Sequence, residues 1–101
     1  MIFAEMEYSK DYWDEHHDLV KLICSNFDNV KHGIQGDSWI WILEGEGKVA
    51  IDTFSSMKHQ VKCETKSLPL VEKVIGVLEQ NYTVLEYEIP MPEAHEDLCK
   101  G

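Results

Sequence analysis

Two groups of residues in this chain have the types and spacing for chemistry. The first is acidic. Glu5, Glu7, Asp11, Asp14, Glu15 and Asp18 place six carboxylates in the first eighteen residues, with Lys10 the sole base among them. Spaced carboxylates on a helix make an anionic stripe that raises association rates with basic proteins and sharpens partner choice. Acids in a first helical turn also complement the helix dipole, which accounts for Asp11 to Glu15 but not for Asp18. Asp14 and Asp18 stand four apart, where like charges destabilise a helix by a few tenths of a kcal/mol. The expected binding surface is therefore Glu7, Asp11, Tyr12, Asp14, Glu15 and Asp18, with Tyr8 and Tyr12 as exposed aromatic anchors.

The second group lies between Asp52 and His59. Asp52, Ser55, Ser56 and His59 offer an acid, a nucleophile and a base within eight positions. Triads are assembled by a fold rather than by one hairpin, and serine at a turn more simply bonds nearby backbone. Asp52 is the odder residue, because it stands among Val49, Ala50, Ile51 and Phe54. A buried acid needs a partner or a shifted proton affinity. Asp52 and His59 therefore mark the alternative site, a sheet pocket in a small enzyme or small-molecule-binding domain.

Other chemistries lack their residues. His16 and His17 are adjacent, so on a helix they point about 100° apart and seldom share a metal. His32, His59 and His95 add no HxxxH or HExxH pair, and no metal or other cofactor is expected. Gly45-Glu46-Gly47 lacks the third glycine of a dinucleotide loop, and its acid would repel phosphate. Cys24, Cys63 and Cys99 are too few and too far apart for a disulfide framework or zinc cluster. They read as free thiols, with Cys24 and Cys63 in the core.

Charge narrows the partners. Nineteen acids against nine lysines, with no arginine, give a net charge of −10. Such a field repels nucleic acid and anionic membranes, and bidentate arginine readers of phosphate and guanine are missing. No direct nucleic-acid or membrane binding is expected. The first residues carry acids where a secretion signal has lysines, so a cytoplasmic location is expected.

These side chains must be positioned by the elements around Asp37 to Phe54. Trp39 to Leu43 is a run of five large apolar residues that suits a strand covered on both faces. Glu44 to Gly47 supplies a turn, and Lys48 to Phe54 returns as a second strand. Period two then predicts Trp39 and Trp41 on one face and Ile40 and Ile42 on the other, under helices. Residues 2–8 alternate as a first strand. Ser9 or Asp11 caps a helix to about Phe27, with Trp13, His16 or His17, Val20, Ile23 and Phe27 as its apolar stripe. Residues 28–36 read as a loop. Met57 to Glu64 alternates as a half-exposed strand whose lysines would guard a sheet edge. Pro69 opens a second helix, where Gly76 suggests close packing against the sheet, and Thr83 to Ile89 forms a last strand stopped by Pro90.

The order β-α-β-β-β-α-β implies an α+β fold with a single, mostly antiparallel sheet and both helices on one face. Residues 1–92 form one domain, followed by a polar C-terminal tail over 93–101. Size and charge together point to a small acidic binding protein that neutralises a basic protein partner, as an immunity protein or inhibitor does with a nuclease toxin. The third expectation is a structural or regulatory homo-oligomer, with the tryptophan face as a homodimer interface.

Overall fold

The alternation of small or aliphatic and aromatic residues at 38–42 decides the two faces of the sheet. In the computed structural model, which describes residues 1–64 and 68–92, Ser38, Ile40 and Ile42 are buried and Trp39 and Trp41 half-buried. The elements in chain order are β1 (Ile2–Glu7), α1 (Tyr12–Cys24), β2 (Val30–Gln35), β3 (Asp37–Glu44), β4 (Gly47–Asp52), β5 (Gln60–Cys63), α2 (Leu68–Leu78) and β6 (Thr83–Met91). They form one antiparallel sheet in the order β2-β3-β4-β5-β1-β6, with α1 and α2 touching each other on one side of it. The α+β class, the antiparallel sheet and the element order agree with the sequence reading, with one strand added.

Register carries the two faces across the molecule. Ile40, Ile51, Val61 and Ala4 stand side by side on neighbouring strands and are all fully buried beneath the helices. Leu19 and Ile23 of α1 and Val74 and Leu78 of α2 close over them. Truncating one of these isoleucines to alanine would cost about 2–5 kcal/mol. The adjacent row on the opposite face is Trp39, Asp52, Gln60 and Glu5. The β3–β4 turn is Gly45-Glu46, with Gly45 at φ 59 and no positive φ at Glu46, the pattern of a type II′ turn.

The added strand is β2, in the stretch expected to be a loop. It is an edge strand paired only to β3, so few of its residues need be apolar. Gly33 has a specific reason to be glycine: a Cβ there would lie 2.6 Å from the Trp39 ring. The expected guarding of an edge by Lys58 and Lys62 is corrected, because β5 lies inside the sheet between β4 and β1. All four residues of β5 are buried, Lys62 included, whereas Met57 precedes the strand and is exposed. Strand β6 continues through Pro90, which an edge strand tolerates.

Helix α1 is shorter than expected and turned about its axis. Ser25 Oγ and Asn26 Nδ2 donate to the Lys21 and Leu22 carbonyls at 2.8 and 2.9 Å, which ends the helix before Phe27. Its inward row is Glu15, His16, Leu19 and Ile23, while Trp13 is 52% exposed and Val20 half-buried. The expected core role of Trp13 is thus corrected, as is that of Cys24, which is exposed; Cys63 is buried. Gly76 is exposed on α2, and apart from its own helix backbone and chain neighbours no described atom lies within 4 Å of an added Cβ, so close packing does not explain it. Cys99, His95 and the tail over 93–101 lie outside the described residues.

Candidate functional site

Three polar groupings come out of this fold, and the outermost is the α1 surface. Asp11 is the N-cap, its carboxylate accepting from the Trp13 backbone N–H at 2.7 Å. Tyr12 donates its hydroxyl to the Gly36 carbonyl at 2.6 Å, tying the start of α1 to the β2–β3 turn. That tether leaves Tyr12 half-buried and turns Trp13 outward. Asp11, Asp14 and Asp18 are exposed along one side of the helix, three and four residues apart. The Asp14 and Asp18 side chains have no ion pair or hydrogen bond among the described residues. Glu7 is exposed at the end of β1.

Glu15 departs from that stripe. It is 7% exposed, facing inward, and its Oε1 accepts from the Tyr82 hydroxyl at 2.7 Å. Its place in an exposed binding stripe is therefore corrected. Burial, followed by the Glu15 hydrogen bond and charge, pushes the Tyr82 hydroxyl well above its usual range. Glu15, Asp18, Lys21, Ser25, Asn81 and Tyr82 line an open groove of about 510 Å³. Tyr8 and Tyr12 are also corrected as exposed anchors, because both are half-buried and their hydroxyls are used internally.

Four lysines make side-chain contacts away from the α1 acids. Lys58 Nζ donates to the Tyr8 and Lys10 carbonyls at 2.7 and 3.2 Å and sits 4.4 Å over the Tyr8 ring. Lys48 lies 3.9 Å over Trp41, and Lys73 pairs with Glu44 at 3.0 Å. Lys62 pairs with Asp52 at 2.5 Å, both nearly fully buried on the helix-free face. Asp52 Oδ1 also accepts from the Phe54 N–H at 3.2 Å. The acid singled out in the sequence is therefore an ion-paired one.

His59 stands on the other side of the sheet from Asp52. Strand alternation puts it on the helix side with Val61, where it is fully buried. Tyr8 Oη accepts from the His59 backbone N–H at 3.1 Å, so its own proton goes to His59 Nδ1 at 2.7 Å. His59 Nε2–H then donates to Ser38 Oγ at 2.7 Å, and the Ser38 hydroxyl donates to His16 Nδ1 at 2.5 Å. Burial, followed by the neighbouring His16, pushes His59 down to about 4. Burial, with His32 and His17 nearby, also lowers His16, and burial raises Tyr8 to about 12. All four groups are neutral at pH 7. This is a serine between two neutral imidazoles, yet Ser38 is fully buried, so no substrate reaches its oxygen. Its work is to fasten α1 to β3 and to the segment before β5.

The structure thus brings Asp11, Asp14 and Asp18 together on one surface and separates Asp52 from His59 by the thickness of the sheet. Ser56 Oγ donates to Glu5 Oε1 at 2.7 Å, away from His59. Sequence reasoning missed Tyr82 and Ser38. The signal for Ser38 was available, since it continues the inward alternation of Ile40 and Ile42. Among the described residues no three His, Cys, Asp or Glu side chains come together as a metal-binding group, and no helix is long and apolar enough to cross a membrane. No protein-family model, curated protein or solved structure matches this chain.

Proposed function

We propose that this chain is a small acidic binding protein that neutralises a basic protein partner through the exposed face of α1, as an immunity protein does with a nuclease toxin. The observation that carries the reading is Trp13, an indole 52% exposed beside Asp11 and Asp14. An exposed tryptophan amid charge is the composition of a binding hot spot, where the ring anchors and the carboxylates steer. Folding has little use for Asp14 and Asp18, which repel each other and form no ion pair among the described residues. The alternative of a pocket formed by Asp52 and His59 has no such support, because each has its own partners on opposite faces.

The test uses the purified chain as bait for the proteins of its own cell, followed by association kinetics with the purified partner. Asp14→Lys/Asp18→Lys should slow association roughly tenfold at low salt and flatten its salt dependence. Trp13→Ala should instead speed dissociation, by more than about 1 kcal/mol in affinity. Glu79→Lys/Glu88→Lys makes the same charge change at exposed positions elsewhere. Equal slowing by both double variants would show that net charge alone is at work and would overturn the assignment to α1.

A further inference from the structure

Glu15 is a nine-tenths-buried carboxylate for which the described residues offer no counter-cation. Buried acids are ordinarily paired, because water no longer screens them. Glu15 Oε1 has only the neutral Tyr82 hydroxyl, and its second oxygen, without a hydrogen-bond partner among the described residues, is not a buried atom but open to solvent. Because Glu15 lines the groove beside α1, that carboxylate is approached from the groove. Asp18 adds a second acid to the lining, and Lys21 lines the same space without pairing with either.

We infer that this groove is the socket for an arginine side chain of the basic partner. The inference rests on the acidic-face reading above and names the group that face receives. A guanidinium is planar, always charged and presents five N–H donors in a fixed fork. It can donate to Glu15 and Asp18 together while the Ser25 hydroxyl and the Asn81 amide oxygen accept at its edges. Tyr82 keeps its proton on Glu15. A groove of about 510 Å³ has the capacity for such a side chain. An ammonium is a compact point charge without the fork, and it gains less from acceptors spread around a groove.

The test is titration of the isotopically labelled full chain with Nα-acetyl-arginine methylamide, followed through backbone amide shifts. Saturable shifts are expected at Ser25, Asn81 and Tyr82, with the dissociation constant in the millimolar range for a single side chain. The matching lysine derivative should bind roughly tenfold more weakly. Glu15→Gln keeps an acceptor for Tyr82 and should weaken arginine at least about tenfold, whereas Lys21→Ala should tighten it by removing a like charge. Equal binding of lysine, or indifference to both substitutions, overturns the socket. Should Glu15→Gln fail to fold, Asp18→Asn and Lys21→Ala carry the same comparison in opposite directions. If arginine leaves the groove unmoved while Asp14→Lys/Asp18→Lys still slows the partner, the socket fails and the acidic face stands. If arginine binds but Asp14→Lys alone, which leaves the groove lining untouched, does not slow association, the groove's affinity for arginine stands and the acidic face fails.

Discussion

Asp52 and Glu15 are both buried carboxylates, 3% and 7% exposed, and the molecule treats them in opposite ways. Asp52 sits on the helix-free face with the Lys62 ammonium at 2.5 Å and a backbone N–H at 3.2 Å. Glu15 sits on the inward side of α1 with one neutral phenol at 2.7 Å and a groove beside it. A carboxylate already joined to an ammonium has little to offer a ligand, since binding would first have to break that pair. One held only by a neutral donor retains its attraction for a cation. The difference teaches that burial of an acid does not mark a site; burial without a counter-charge, next to open space, does.

The largest effect should come from taking the cation away from Asp52. Lys62→Met strands a carboxylate in the sheet and is expected to destabilise by about 3–5 kcal/mol in denaturant melts. Adding Asp52→Leu should return most of that loss. A single Lys62→Met loss under about 1 kcal/mol would erase the contrast between the two acids, because Asp52 would then need its partner no more than Glu15 does.

Acid should next loosen the side of the molecule that holds Glu15. His59 accepts a proton at about 4 in the folded chain and near 6.5 unfolded. The unfolded state therefore binds more protons between those values, and stability present above pH 6.5 is lost as pH falls toward 4. The expected loss is about 3 kcal/mol over that window, and His59→Gln should remove this share of the slope. Denaturant melts from pH 7.5 to 4.5 measure it. A stability that does not fall across the window would contradict a His59 held neutral by burial.

Smaller effects separate the two acids more finely. Tyr82→Phe removes the only side-chain donor to Glu15 among the described residues and should cost about 1.5 kcal/mol, no more than half of the Lys62→Met loss. Glu15→Gln should change stability least, by under about 1 kcal/mol, because Tyr82 keeps an acceptor and no charge remains to be buried. A Glu15→Gln loss as large as that of Lys62→Met would make Glu15 a structural acid and remove the reason to place a ligand beside it.

Local pattern made the centre of the fold legible and left its connections obscure. Alternation from Ser38 to Ile42 and the Gly45-Glu46 turn suffice for the β3–β4 hairpin and for the facing of Trp39 and Trp41. Strand β2 has no such pattern, since an edge strand is held by backbone pairing and its Gly33 answers to Trp39 rather than to local propensity. Lys62 reads as exposed because a lysine in an alternating strand ordinarily is; its burial depends on Asp52 from another strand. On α1, Asp14 and Asp18 were legible as an exposed pair. Trp13 and Glu15 were not, because each residue turns the helix by about 100° and the Tyr12 tether to Gly36 sets the rotation. Ser38, His59 and Tyr8 meet across separations of 21 and 51 residues, which no local spacing encodes.

The three tryptophans give the most direct reading of where a partner sits, because Trp13 lies on α1 and Trp39 and Trp41 lie on the helix-free face. Their indole N–H signals can be followed one by one as purified basic partner is added to the labelled chain. The account predicts that the Trp13 signal shifts or broadens in proportion to bound partner, while those of Trp39 and Trp41 stay in place. Movement of the Trp39 and Trp41 signals with Trp13 unchanged would contradict it.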